Sequence, residues 1–232
     1  MNLTVVVKTF RRPGACVAVV RSWLAVAPDI PIIVVDDGGD VSPDLSGFPT
    51  VNHIRTEFDI GLSAGRNVGV AAASTRYVLI ADDDNGCTRD SDLAGAVAQL
   101  QAERVGILGV GAYRFVESDG MLWLPGVPRV TEFTRCDGVL NHFVGDREAM
   151  PQWDAAIKLA GEHVDYFLEC RKRGVAVAAT PLLAFYRTRH AVRTTTAPDY
   201  ARFRRRSFRR AVRAKWGYRA ISPWGRSPVA AT

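Results

Sequence analysis

Short apolar runs alternate with amphipathic segments along the first half of the chain. Four runs predict buried strands, since a strand covered on both faces is continuously apolar: Thr4–Thr9, Pro31–Val35, Val51–Arg55 and Tyr77–Ala81. Helical spacing predicts three helices: Ala15–Ala27, Ser63–Ala73 with Ser63 as N-cap, and Asp90–Glu103. With a further strand at Val105–Val110, the alternation predicts an α/β fold, a mostly parallel sheet flanked by helices.

The pattern becomes less regular after about residue 111. Tyr113–Trp123 predicts an irregular hairpin, a small antiparallel element, and Val139–Val144 predicts another strand. Glu162–Arg173 predicts a helix that ends at Gly174, and Val175–Ala179 predicts a strand after it. Beyond these elements the chain becomes polar and then rich in arginine.

Polar loops follow three of the predicted strands. They contain Thr9–Arg12, Asp36–Gly39 and Asp82–Asn85. In parallel sheets, ligands bind beyond the carboxyl ends of the strands, where such loops meet. The sequence therefore predicts one site that draws on all three loops.

The three adjacent carboxylates of Asp82, Asp83 and Asp84 are the strongest chemical feature. Like charges at the end of a buried strand repel one another, and a divalent cation would remove that cost. Mg²⁺ and Mn²⁺ prefer oxygen ligands, and Mg²⁺ is often held by one or two carboxylates plus substrate phosphates. The triplet thus predicts a Mn²⁺ or Mg²⁺ ion that joins the protein to a diphosphate. The alternative is a solvated acidic turn.

Composition favours a soluble globular chain, with 47% hydrophobic residues and no apolar stretch of bilayer-spanning length. The N-terminus runs directly into the first strand without the features of a secretory signal, which leads us to expect a cytoplasmic location. The four scattered cysteines are expected to be reduced and to bind no zinc.

Charge is distributed unevenly along the chain. Residues 1–181 carry 17 basic and 23 acidic residues, whereas residues 182–232 carry 13 basic residues and one acidic residue. Three roles stay open for the basic stretch Arg202–Lys215: closure over a donor diphosphate, peripheral contact with an anionic membrane surface, or a solvated tail. No nucleic-acid-binding module accompanies the arginines, so no specific nucleic-acid partner is expected.

Five segments in order carry a resemblance to a known family. They are VVVKTFRR at Val5–Arg12, IIVVDDGGD at Ile32–Asp40, GLSAGRNVG at Gly61–Gly69, YVLIADDDN at Tyr77–Asn85 and DGVLNHF at Asp137–Phe143. Together they resemble the inverting glycosyltransferases of the GT-A fold, in the broad family 2 group. The likeness covers residues 3–190 and, within that group, is greatest to β-1,4-N-acetylgalactosaminyltransferases of the GM2/GD2 synthase type.

The resemblance implies a role for each nucleotide-site residue. Thr9 and Asp37 would contact the nucleobase, Asp83 the ribose or donor sugar, and Asp84 the metal, with Asp82 able to assist any of these. Two arginines would stand near the diphosphate or sugar of a UDP-sugar: Arg66 and Arg11. For Arg66 the alternative is a structural ion pair with one of the aspartates, and both can hold.

Inverting transfer needs a base that takes the proton from the acceptor hydroxyl. The resemblance places it at the start of the helix Glu162–Arg173, with Asp165 as first choice, Glu162 as second and His163 as third. An acidic residue in a first helical turn also has a purely structural explanation. A third, histidine ligand to the metal is not in register here, since His190 is displaced from the matching position.

These expectations define a GT-A catalytic domain at residues 1–190, with a nucleotide-sugar-binding half at 1–110 and an acceptor and catalytic half at 111–190, followed by an extension at 191–232. The predicted reaction moves a hexose or N-acetylhexosamine from a UDP-sugar to a glycan, lipid-linked or small-molecule acceptor. A non-catalytic sugar-nucleotide-binding protein is the alternative. A nucleotidyltransferase is disfavoured because the first loop contains only one glycine, and a dehydrogenase because GxGxxG is absent.

Overall fold

The computed structural model describes residues 1–188, 196–204 and 208–228. Its strands are β1 Leu3–Thr9, β2 Ile32–Asp36, β3 Val51–Arg55, β4 Tyr77–Asp82, β5 Asn85–Cys87, β6 Ile107–Gly109, β7 Ala112–Tyr113, β8 Val116–Ser118, β9 Met121–Leu124, β10 Gly126–Val127, β11 Thr134–Cys136, β12 His142–Asp146, β13 Val177–Ala179, β14 Phe185–Arg187 and β15 Ala220–Trp224. Its helices are α1 Pro13–Val26, α2 Leu62–Ala72, α3 Leu93–Ala102, α4 Glu162–Lys172, α5 Tyr200–Arg204 and α6 Arg209–Trp216.

An eight-stranded sheet in the order β11-β13-β6-β12-β4-β1-β2-β3 forms the centre of the molecule. Strands β4, β1, β2 and β3 are mutually parallel, and β12 inserts antiparallel between β4 and β6. The predicted α/β fold with a mostly parallel sheet is confirmed. Three small sheets surround the central one, among them a β8–β9 hairpin inside the predicted hairpin region.

Apolar side chains cover both faces of this sheet. Residues of α1 and α3, with Trp23 fully buried, pack against one face. Residues that flank α2 and those of α4 pack against the other, where the Trp153 and Tyr166 rings stack at 4.1 Å. Burial on both faces explains why β1, β2 and β4 are continuously apolar in sequence.

Two helix starts and one strand differ from the prediction. Ser63 does not cap α2, because the N-cap is Gly61 and the Ser63 hydroxyl instead donates to the Ile157 carbonyl at 2.6 Å. Helix α3 begins at Leu93 rather than Asp90, because the Asp92 carboxylate accepts the Gly95 N–H at 2.8 Å and caps it. The strand predicted at Val139–Val144 is shifted to His142–Asp146.

The C-terminal extension folds back onto the earlier part of the chain. Strand β15 pairs in parallel with β9, and the Ser222 hydroxyl accepts the Leu124 N–H at 2.9 Å. Helix α6 packs beside α4, with Val212 fully buried. The four cysteines are free and buried, as expected of reduced thiols. Over the ranges that the structure describes, every helix is too short or too polar to cross a membrane.

Candidate active site

The parallel register of β1, β2 and β4 brings the three polar loops together. Lys8 lies opposite Asp82 and Thr9 lies opposite Asp36, so the strands end at the same level. Beyond them lies a cavity of about 420 Å³. The loop residues that line it include Lys8, Thr9, Phe10, Arg12, Asp82, Asp83 and Asp84. The cavity, called the polar cleft below, is lined from the loops after β1 and β4. The described residues that line it include none of Asp36–Gly39, so two of the three predicted loops contribute to it.

Each aspartate of the triplet has a cationic partner. Asp82 accepts from Arg66 at 2.7 Å, and Asp83 is paired with Arg12, which also reaches Asp84 at 3.4 Å. The two arginines therefore offset part of the mutual repulsion, a cost that the sequence analysis assigned to a metal. The Asp83 side chain is 1% exposed, whereas those of Asp82 and Asp84 are 23% and 25% exposed. Only the last two have carboxylate surface open to a ligand.

Arg66 takes part in the structural ion pair that was its alternative interpretation. Its guanidinium is buried, bonds Asp82 and lies 5.7 Å from the centre of the Trp153 ring. The Nε and Nη1 atoms of Arg66 have no hydrogen-bond partner among the described residues. Buried donors are normally paired. Arg66 is 1% exposed and is not among the residues that line the polar cleft, so its connection to the cleft is through Asp82.

Lys8 is a site residue that the sequence analysis missed. Its ammonium group is paired with Asp37 and donates to the Thr9 carbonyl at 2.7 Å. Burial lowers the pKa of Lys8, and the attraction of Asp37 opposes that shift. A lysine inside the apolar run of β1 was the available signal, because a buried ammonium group needs a partner.

The two residues predicted to contact the nucleobase are engaged within the protein. One oxygen of Asp37 is bound by Lys8, and the other accepts the Gly61 N–H at 2.9 Å. The Thr9 hydroxyl donates to Asp83 at 2.7 Å. Both residues are about 1% exposed, and of the two only Thr9 lines the polar cleft.

Of the adjacent arginines, Arg12 rather than the predicted Arg11 reaches the aspartate triplet. Arg11 has a positive φ of 53° and bonds Asp40 at 2.7 Å and Asp199 at 2.9 Å. The backbone turn at Arg11 directs successive side chains to opposite sides. Sequence alone gives no means of deciding which of two neighbouring arginines turns inward.

The structure separates the three candidates for the base. Glu162 lines the polar cleft and is 6% exposed, and its Oε2 accepts the Gly161 N–H at 3.0 Å. Asp165 does not line the cleft, because Trp216 Nε1 donates to it at 2.7 Å and Lys215 Nζ at 2.8 Å. His163 packs against Phe167 and Tyr113, and burial, with Arg66 nearby, lowers its pKa to about 4. Of the three candidates, only Glu162 lines the polar cleft.

The cleft supplies two open carboxylates for a metal and not a complete protein cage. Over the described ranges, no three side chains of His, Cys, Asp or Glu converge on one point. Asp82 and Asp84 still fit a cation whose remaining ligands are phosphate and water oxygens, the common arrangement for Mg²⁺. His190, considered for a third ligand, lies outside the described residues.

His142 lies close to the site, but its side chain is buried in the core against the central sheet. Its ring is 5.4 Å from Trp23 and 5.1 Å from Phe185, and neither ring nitrogen has a partner in the part of the chain that the structure describes. Burial lowers the pKa of His142 to about 4.

This burial makes stability depend on pH. The unfolded chain binds the His142 proton near pH 6.5 but the folded chain only near pH 4, so stability is lost as the pH falls between these values. We expect His142 to account for about 2 kcal/mol of lost unfolding free energy between pH 7 and pH 5. Urea unfolding at both pH values should show a smaller acid loss for His142→Phe. An equal loss in both proteins would contradict the assignment.

The architecture is shared with solved sugar-transfer enzymes. "GalNAc-T7 with UDP, GalNAc and Mn2+" aligns with a TM-score of 0.64 at 16% identity, over 80% of this chain and 44% of that one. S. aureus TarS 1–349 in complex with UDP aligns with a TM-score of 0.58 at 18% identity, over 80% and 60%. The fold is that of the GT-A glycosyltransferases, as the sequence motifs predict.

The chain belongs to glycosyl transferase family 2, whose pattern matches residues 4–150. β-1,4 N-acetylgalactosaminyltransferase 1 of Rattus norvegicus is 28% identical over 192 residues, which cover 72% of this chain and 35% of the relative. β-1,4 N-acetylgalactosaminyltransferase 2 of Mus musculus is 35% identical over 82 residues, or 35% of this chain and 16% of the relative. The chain thus spans about a third of the rat enzyme's length. The predicted family resemblance and the assignment as a glycosyltransferase are confirmed.

Proposed function

We propose that this glycosyltransferase moves a hexose or N-acetylhexosamine from a UDP-sugar to an acceptor hydroxyl, with inversion at the anomeric carbon and with a divalent cation. The observation that carries the proposal is the polar cleft itself, which is lined by the partly exposed Asp82 and Asp84 and also by Glu162. Neighbouring structures that contain UDP support the choice of donor, and one of them contains Mn²⁺.

Asp82 and Asp84 would hold Mn²⁺ or Mg²⁺ through their exposed carboxylate oxygens. The bound ion would act as a Lewis acid that neutralises charge on the departing diphosphate. Further positive charge comes from the protein. Among the described residues, five cationic side chains line the cleft: Lys8, Arg12, Lys158, Arg187 and Arg209. Fixed cations of this kind stabilise a leaving group without reorganisation during the reaction.

Glu162 would act as the general base, which replaces Asp165 as first choice. The acceptor oxygen forms a bond to the anomeric carbon as the bond to the β-phosphate oxygen breaks, and the UDP leaves with that electron pair. The acceptor proton passes to the Glu162 carboxylate. The Gly161 N–H already holds one oxygen of that carboxylate, which fixes its orientation.

The acceptor is proposed to be a glycan, a lipid-linked sugar or a small molecule. We also propose a cytoplasmic location, with Arg202–Lys215 able to contact an anionic membrane surface at its periphery. Support for this contact comes from the charge of residues 182–232, with 13 basic residues against one acidic residue.

Calorimetry with UDP, with and without Mn²⁺, tests the proposal. We expect UDP to bind, and to bind about tenfold or more tightly with Mn²⁺, because an ion held by Asp82 and Asp84 would supply positive charge to the diphosphate. A panel of UDP-sugars assayed for hydrolysis then distinguishes an enzyme from the non-catalytic alternative. Binding without any turnover would favour that alternative, and no binding of UDP under either condition would refute the proposal.

A further inference from the structure

We propose that the C-terminal extension supplies part of the nucleotide site: Tyr200 and Phe203 form, with Phe10, an aromatic wall against which the nucleobase of the donor stacks. The inference rests on the proposed function. It adds two binding residues, Tyr200 and Phe203, that lie outside the region matched by the family. These three side chains, called the aromatic wall below, all line the polar cleft.

The extension is fixed to the body of the protein on both sides of the wall. Before it, the Ala197 N–H donates to the Arg11 carbonyl at 2.9 Å, and Arg11 Nε donates to Asp199 at 2.9 Å. After it, the Phe208 N–H donates to the Leu159 carbonyl at 3.2 Å. The position of α5 over the cleft is therefore set by direct bonds to the loops after β1 and before α4.

The rings form a continuous apolar surface. Phe203 lies 5.0 Å from Phe10 and 5.5 Å from Phe58, both nearly edge to face, and Tyr200 lies 6.3 Å from Phe10. These are the separations at which aromatic pairs attract one another. Phe58, which is 51% exposed, extends the cluster beyond the residues that line the cleft. Phe10, Tyr200 and Phe203 are half-buried and line the cleft, so each presents part of its ring to a ligand bound there.

Arg12 connects the wall to the aspartates. Its guanidinium is paired with Asp83 and lies 5.2 Å from the centre of the Tyr200 ring. A nucleotide whose diphosphate lies at the triplet would thus have an aromatic surface close by, on the other side of Arg12. The polar side chains predicted for the nucleobase, Thr9 and Asp37, are already bonded within the protein. Stacking on ring faces is a form of recognition that needs neither of these side chains, and it tolerates any base.

Calorimetry with two probes tests the wall: UDP, and inorganic pyrophosphate, each with Mn²⁺. Tyr200→Ala and Phe203→Ala are each expected to weaken UDP binding by about 5- to 100-fold, the range for loss of one base–aromatic stack, and to leave pyrophosphate binding unchanged. Tyr200→Phe keeps the ring and should retain UDP affinity. Trp224→Ala removes an aromatic residue of the same extension outside the cleft and should also retain it.

The outcomes separate this inference from the proposed function. If the unmodified protein fails to bind UDP, the proposed function fails. If it binds UDP and both alanine variants bind equally well, or lose pyrophosphate affinity to the same extent, the aromatic wall is wrong while the donor assignment stands. Saturation-transfer NMR with irradiation of protein aromatic protons gives a second measurement: uracil H5 and H6 should receive saturation in the unmodified protein and lose it in Phe203→Ala.

Discussion

Replacing Glu162 by glutamine is expected to lower the turnover of sugar transfer by about 10²- to 10⁴-fold, the usual contribution of a positioned general base. The amide has nearly the same shape and still accepts the Gly161 N–H, so folding and donor binding should be unchanged. The measurement is a pair of assays, steady-state turnover with a UDP-sugar and UDP affinity by calorimetry. Loss of turnover with intact affinity identifies a residue that acts in the chemical step.

Asp165→Asn is the matched control, since this carboxylate lies on the same helix three residues later. Asp165 is 2% exposed, accepts a hydrogen bond from Trp216 and forms an ion pair with Lys215. We expect a loss of about 1–3 kcal/mol in unfolding free energy, because a buried bond to a charged group is weakened and Lys215 is partly solvated. Turnover should fall far less than in Glu162→Gln. The reverse order of effects would return the base to Asp165 and overturn the assignment made here.

Asp84→Ala is expected to abolish stimulation by Mn²⁺ and to lower kcat/KM by at least about 100-fold. The substitution removes one of the two open carboxylates, and charge-stabilising groups at such sites are typically worth 10²–10³ in rate. The test is a Mn²⁺ titration of donor hydrolysis together with calorimetry of UDP. Asp44→Ala, an exposed aspartate remote from the cleft, controls for loss of negative charge. Unchanged Mn²⁺ stimulation in Asp84→Ala would remove this residue from the metal site.

The position of the site could be predicted from sequence because it depends on the sheet. Apolar runs of five to seven residues fix β1, β2 and β4, and parallel strands place their carboxyl ends at one edge. The polar residues that follow those runs must then meet. Neither step requires knowledge of side-chain direction. The bounds of these three strands agree with the structure to within a residue, and the loops after β1 and β4 line the polar cleft, whereas Asp36–Gly39 does not.

The sequence could not predict which of two neighbouring candidate residues lines the polar cleft. The choice between Arg11 and Arg12 depends on a positive φ at Arg11, and arginine does not favour that backbone conformation. The choice between Glu162 and Asp165 depends on Lys215 and Trp216, which approach α4 from the far end of the chain. Local pattern places both acids in one helical turn, and long-range packing decides their roles.

The link between α4 and α6 has a consequence for how this protein is made. The Asp165 carboxylate is matched by an ammonium group 50 residues later in the chain. Until α6 is synthesised, Asp165 lacks both Lys215 and Trp216, and burying the carboxylate without these partners costs free energy. We therefore expect the first turn of α4 to pack less stably in a chain that ends before α6.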